Sequence, residues 1–261
     1  MERLTEDVQF LVQSPNRGEL LCVLATEAPC DRYDIEAEVD ATRRTVVRNL
    51  NEFTERGYVT ETEAGYRLTA FGAFLADVYD EFTTDTALAD RLGPFLEHVS
   101  ANLFDLDPRL LADADVLTAS EASPYAILDR TLELRRQSSR IREIAPAVEK
   151  KSVEQLAERV RNGEDVEMLT VIPARAAEEA TTNPDYRDDH LAALRADTVE
   201  MHAYPERIPL FVGVLDDTVA LSSAKDGRPN ALVTTTNPTV REWAEETIAD
   251  FVDRARPHAA E

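Results

Sequence analysis

Between Thr42 and Leu68 the apolar residues change their spacing, and this restricts the fold more than any other feature of the chain. Val46, Val47, Leu50 and Phe53 fall at i, i+1, i+4 and i+7, one buried stripe of a helix, and Gly57 stops it. Directly afterwards Tyr58-Val59-Thr60 and Tyr66-Arg67-Leu68 flank Glu61 to Gly65, the pattern of a hairpin with a glycine-containing loop. Upstream, Leu4 to Val12 predicts a short amphipathic helix. Ser14-Pro15 opens another, which carries Leu20, Leu21, Val23 and Leu24 and ends before Pro29. Asp34 to Val39 predicts a third, with Ile35 and Val39 one turn apart, and Asp40-Ala41-Thr42 forms the turn before the helix at Val46.

Helices, a tight turn and a terminal hairpin in this order are the parts of a winged helix. The helix after the turn reads TRRTVVRNLN from Thr42 to Asn51, with Arg43, Arg44 and Arg48 and no acid before Glu52. Arg44 and Arg48 are i, i+4 partners, as are Thr45 and Asn49 on the neighbouring stripe. A helix that reads the major groove needs apolar residues turned into its domain and Arg, Thr and Asn turned to base edges and phosphates. The expected contacts to double-stranded DNA are Arg32, Thr42, Arg43, Arg44, Thr45, Arg48, Asn49 and Arg67.

A formal charge of -23 opposes nucleic-acid binding. Its make-up weakens the objection: three lysines (Lys150, Lys151, Lys225) stand against 25 arginines and 51 acids, a balance that fits adaptation to high salt. At molar salt the Debye length is about 3 Å, and short-range contacts then decide binding. No apolar run approaches a membrane span, and Glu2, Glu6 and Asp7 stand where a secretory leader carries positive charge, so a cytoplasmic protein is expected. Cys22 and Cys30 are eight apart, unlike a metal pair; Cys22 falls in an apolar stripe, and Cys30, in a turn, is a candidate reactive thiol. Neither a metal nor a cofactor is expected.

The segment DIEAEVDATRRTVVRNLNEFTERGYVTETEAGYRLTAFG resembles the winged-helix domains of archaeal, haloarchaeal-type transcriptional regulators over residues 15 to 72. In these the T-R-x-T-V-x-R-x-L helix is the recognition helix and the Y-x-L-T-x-x-G strand closes the wing, which implies DNA binding through residues 42 to 51. One departure is plain: the wing tip, Glu61-Thr62-Glu63-Ala64-Gly65, is acidic, leaving Arg67 at its base to meet phosphate.

Ala70 to Val99 predicts a mostly helical connector. Phe71, Phe74, Leu75, Val78, Tyr79 and Phe82 form a broad apolar stripe, continued by Leu88, Leu92, Phe95, Leu96 and Val99 after an interruption at Thr83-Thr84. Such a stripe suits a dimer helix, or packing on the chain's own second domain. From Asp115 strands alternate with helices: strands at Val116–Ala119, Ile141–Ile144, Val166–Ile172 and Val199–Tyr204, helices from Ser123-Pro124, at Ser152–Arg161, Arg175–Ala180 and Asp188–Ala196. Three consecutive strands (Leu210–Leu215, Val219–Ser222, Ala231–Thr235) and a helix over Pro238–Arg254 follow, with a turn at Asp216-Asp217. The segments LLADADVLTASEASPYAILDRTLEL, PLFVGVLDDTVALSS and NPTVREWAEETIADFVDRARP resemble the C-terminal domain of archaeal regulators related to the methanogenesis regulatory proteins.

The expected architecture is an α+β winged-helix domain over residues 1–72, a helical connector or dimerisation element over 73–104, and an α/β mixed-sheet sensor or dimerisation domain over 105–261. None of His98, His190, His202 and His258 has the lysine two residues on that phospholipase D-like chemistry needs, which argues against a degenerate phosphodiesterase. GxSxG, P-loop and GxGxxG signatures are missing too. An interaction protein without DNA is the other rival, and the arginine-rich helix argues against it. A small-molecule effector is expected near strand ends and helix starts, with Ser120, Ser123, His202, Tyr204, Arg207 and Lys225 as candidate contacts. A homodimer is the expected assembly.

Overall fold

Thr42 and Gly57 bracket the helix on which the sequence argument turns. In the computed structural model Thr42 is extended and its hydroxyl accepts the Thr45 amide at 3.3 Å, so the helix starts at Arg43. Gly57, at φ 76°, closes it: the Tyr58 amide returns to the Phe53 carbonyl at 2.8 Å. The structure describes residues 2–27, 29–99, 103–225 and 227–259, the side chains of 2–5 and 27 excepted.

The chain divides into two units, Met1–Ala87 and Leu88–Glu261. The first holds α1 (Glu2–Val12), α2 (Pro15–Glu27), α3 (Arg32–Glu38), α4 (Arg43–Glu55), β1 (Val59–Thr62) and β2 (Gly65–Leu68). Helix α5 (Ala70–Leu96) begins in it and ends in the second unit. Asp31 and Asp34 form a reciprocal capping box that starts α3 two residues before the predicted position. β1 and β2 pair antiparallel, Thr60 opposite Arg67, and Cys30 bridges to Tyr66 as a further strand position. Gly65, at φ 117°, is required there: a Cβ would come within 2.3 Å of the Cys30 carbonyl oxygen. Cys30 is 2% exposed, which corrects its reading as a reactive thiol: the bridge draws it into the core. That core gathers Phe10, Leu20, Leu21, Leu24, Ile35, Val46, Leu50, Phe53 and Tyr58. Tyr58 donates to Asp7 at 2.5 Å, and burial with this acidic neighbour pushes its phenol up to about 12.

The interruption expected at Thr83-Thr84 is not there. Thr83 Oγ1 bonds back to the Tyr79 carbonyl at 3.1 Å and Thr86 Oγ1 to the Phe82 carbonyl at 2.7 Å, so the threonines satisfy themselves within a continuous helix.

The second unit follows with a 3₁₀ turn (Pro108–Leu111), β3 (Asp115–Thr118), α6 (Ala126–Gln137), β4 (Arg140–Ile144), α7 (Lys150–Arg161), β5 (Glu167–Pro173), α8 (Ala174–Thr182) and α9 (Arg187–Leu194). Then come β6 (Val199–Tyr204), β7 (Phe211–Leu215), β8 (Thr218–Lys225), β9 (Arg228–Thr235), α10 (Pro238–Arg254) and β10 (Arg256–Pro257). The sheet order is β10-β6-β5-β4-β7-β8-β9-β3. β4, β5 and β6 run parallel, with α7 between the first two and α8 and α9 between the second pair, while β7, β8, β9 and β3 form an antiparallel half. This is the mixed sheet with an antiparallel edge that the sequence predicted. One face packs Val240, Ala244, Ile248 and Phe251 of α10; the other packs Ile127 and Leu134 of α6, Leu156 of α7 and Ala193 of α9.

Candidate nucleic-acid interface

Helix α4 presents one buried and one exposed side. Val46, Leu50 and Phe53 are buried, as predicted, and Val47 is half-buried. Arg43, Arg44 and Arg48 are exposed on the other side. Acids from neighbouring positions temper two of them: Arg43 lies 3.7 Å from Glu36 of α3, and Arg48 lies 3.9 Å from Glu52, which Arg17 also holds at 3.0 Å. Arg44 has no acidic partner among the described residues. Thr45 is half-buried and its hydroxyl lies 3.0 Å from that of Thr42, whose cap role occupies it.

Asn49 is a correction. It is 1% exposed, and its Oδ1 is buried without a partner among the described residues. It stands three residues after Val46 and four before Phe53, so helical geometry places it on the stripe that faces the core, away from any ligand. Arg32 is half-buried, 3.4 Å from Glu36 and over the Tyr33 ring. Arg67 is exposed on β2, and Glu61 and Glu63 are exposed at the wing. Arg43, Arg44 and Arg48 thus share one helix, with Arg67 on the hairpin.

The six candidate effector residues are not brought together. Ser120 and Ser123 close a turn, the Ser123 amide bonding Ser120 Oγ at 3.2 Å. α6 starts three residues after Ser123, capped by Tyr125 without a side-chain bond, because Pro124 and Tyr125 remain in the turn. His202 is buried on β6 and bonded to Glu200 at 2.7 Å; Tyr204 packs on Phe251 with ring centres 4.7 Å apart. Arg207 is exposed in the loop after β6, and Lys225 is exposed at the end of β8.

Two family models match the chain. One is described as the HVO_A0261 N-terminal domain and covers residues 5–91. The other is described as the middle domain of the methanogenesis regulatory protein FilR1 and covers residues 124–254, half of the chain. The chain belongs to the FilR1 middle-domain family. Both halves of the resemblance read from the sequence hold: a haloarchaeal-type N-terminal regulator domain, then the domain of the methanogenesis regulatory proteins. The FilR1 match begins at the turn before α6 and ends with α10, so it takes in the parallel strands and the helices α6 to α10.

No curated protein matches the chain. Among solved structures, that of TrmBL2, an archaeal chromatin protein described as showing a novel mode of DNA binding, is 12% identical, covers 91% of this chain and 98% of its own, and has a TM-score of 0.43. An IclR homolog complexed with 4-hydroxybenzoate from Microbacterium hydrocarbonoxydans is 12% identical with a TM-score of 0.22, covering 92% of this chain and 98% of its own. An O-methyltransferase family protein from Burkholderia thailandensis is 11% identical with a TM-score of 0.25, covering 77% of this chain and 64% of its own. These scores lie below the level that marks a common fold.

Proposed function

We propose that this FilR1-family chain is a transcriptional regulator that binds double-stranded DNA through α4, acts as a homodimer, and changes its DNA affinity when a small molecule occupies its C-terminal unit. One observation carries the DNA reading: α4 buries Val46, Leu50 and Phe53 and exposes Arg43, Arg44 and Arg48 in a winged-helix setting. The family's description as a regulatory protein supports it. Arg44, without an acidic partner among the described residues, is the side chain best placed to reach a base edge. Arg43 and Arg48 suit phosphate, and each leaves a carboxylate 3.7 or 3.9 Å away to do so.

The test is affinity of Arg43→Ala, Arg44→Ala and Arg48→Ala for operator and scrambled DNA, at the high salt that the charge implies. Alanine is the stronger helix former, so the melting temperature should hold. Arg44→Ala should cost about 1–3 kcal/mol on the operator and relax specificity at one position. The other two should weaken operator and scrambled DNA alike. Wild-type affinity in all three variants would remove α4 as the recognition helix and the DNA reading with it.

A further inference from the structure

The face of the sheet covered by α6, α7 and α9 is not solidly filled. A cavity of about 170 Å³ lies there, walled by Ile141, Met168, Met201 and Phe211 from the strands and by Ile127 and Leu156 from the helices. One wall is charged. Glu143 of β4 is 2% exposed, and Arg135 of α6 holds it with both ends of its guanidinium, Nε to Oε2 at 3.0 Å and Nη2 to Oε1 at 2.7 Å. Arg135 Nη1 also donates to Ser152 Oγ at 2.7 Å, and Thr170 Oγ1 donates to Glu143 Oε1 at 3.3 Å.

A buried ion pair is a poor way to stabilise a core, because well-packed apolar residues of the same volume usually do as well or better. This pair stands instead beside open space. Its charges cancel, and Arg159, the other arginine of the lining, is paired with Glu164 at 2.9 Å, so a charged ligand would add an unpaired charge in a poorly solvated place, and an uncharged one would not. A guanidinium carries five N–H donors, and the bonds above use three. Ser222 Oγ, also at the wall, makes a long bond of 3.4 Å to its neighbour's carbonyl and no other among the described residues. The volume is close to that of a cavity of about 150 Å³ known to take benzene in another protein. Pro146, Ala147 and Glu149 after β4, and Gly227 between β8 and β9, are exposed residues of the lining and mark its mouth. That mouth is at the carboxyl end of a parallel strand, where ligands of α/β sheets bind.

We infer that this cavity is the effector site, and that it takes an uncharged molecule about one ring in size, with an apolar body and one hydroxyl or carbonyl that meets Arg135 and Ser222. The inference rests on the effector reading above and gives it a place and a ligand chemistry. None of Ser120, Ser123, His202, Tyr204, Arg207 and Lys225 lines this cavity.

The test uses the full chain, with p-cresol, toluene and benzoate as probes and amide chemical shifts plus titration calorimetry as readouts. p-Cresol should bind with a dissociation constant of about 1 mM or tighter and shift Ser152 and Thr170, toluene should bind about tenfold more weakly, and benzoate should not bind. Ala193→Leu puts a larger side chain into the space from α9 and should abolish binding while the melting temperature holds or rises. The Arg135→Met, Glu143→Met double variant should keep the toluene site and lose the preference for p-cresol. Three results overturn the inference: no neutral ring bound by the folded wild type, Ala193→Leu binding like wild type, or benzoate binding more tightly than p-cresol. Operator affinity, measured with p-cresol saturating, separates the two readings. Binding in the cavity with unchanged operator affinity upholds the site and overturns the effector role alone.

Discussion

His190 of α9 and His258 after β10 set their Nε2 atoms 3.3 Å apart, and such a pair holds one donor and one acceptor only while a ring is neutral. Burial pushes His190 down to about 4, with His258 as the second cause, and burial also lowers His258. An unfolded histidine takes its proton near 6.5, so between pH 6.5 and 4 the unfolded chain binds more protons than the folded one. The neutral pair's contribution to stability is therefore complete above pH 6.5 and is lost as pH falls toward 4. Each proton taken up on unfolding lowers stability by up to about 1.4 kcal/mol per pH unit. Urea unfolding of wild type and His190→Gln between pH 7 and 5, above the main carboxylate range, should show the variant with the shallower slope; equal slopes would refute the assignment. At this scale the sequence discloses some side chains and hides others. The exposed arginines of α4 follow from the Val46, Leu50 and Phe53 stripe. Asn49 lies on the same stripe by spacing, although its polarity suggests the outer face. The Arg135–Glu143 pair left no signal, because in a chain with 30% charged residues an arginine and a glutamate eight apart are ordinary until α6 folds onto β4.

Helix α5 carries the strongest element-scale consequence. Phe71, Phe74, Val78 and Phe82 follow one another by three, four and four residues, and all are exposed, Phe74 at 65% and Phe82 at 55%. Large aromatic side chains left in water along one stripe are where a second copy gains most by association. Light scattering should give about twice the 29.1 kDa chain mass, and Phe74→Glu should give the single-chain mass with its melting temperature unchanged or raised. A wild type that runs as a monomer throughout the micromolar range would rule out this stripe as the dimer contact. The stripe itself was legible from periodicity, as were α4, α10 and the run β7-β8-β9. Three features were not. The threonines at 83 and 86 stay helical by bonding to their own preceding turn, which composition does not disclose. The Cys30 bridge and β10 depend on partners far along the chain, Tyr66 for one and His202 and Ala203 for the other.

Over the whole molecule, a charge of -23 must be reconciled with the polyanionic partner proposed above. DNA binding ordinarily weakens with salt, log K falling by about 0.9 for each phosphate neutralised per tenfold rise in concentration. Here the basic side of α4 is small, and acids stand close to it: Glu36 beside Arg32 and Arg43, Glu52 beside Arg48, and Glu61 and Glu63 exposed on the wing. At low salt these carboxylates repel phosphate over a Debye length of about 10 Å and hold the arginines in internal pairs. Added cations screen that repulsion, and near molar concentration, where the length is about 3 Å, only direct contacts remain. Operator affinity should therefore rise with KCl at the low end and fall little above it. Glu36→Gln and Glu52→Gln together should restore part of the ordinary negative slope and raise affinity most at low salt. Binding measured across the KCl range decides it. A wild-type slope as steep as its arginine contacts dictate would mean that Glu36, Glu52, Glu61 and Glu63 lie too far from the bound phosphates to oppose them, and would overturn this salt dependence.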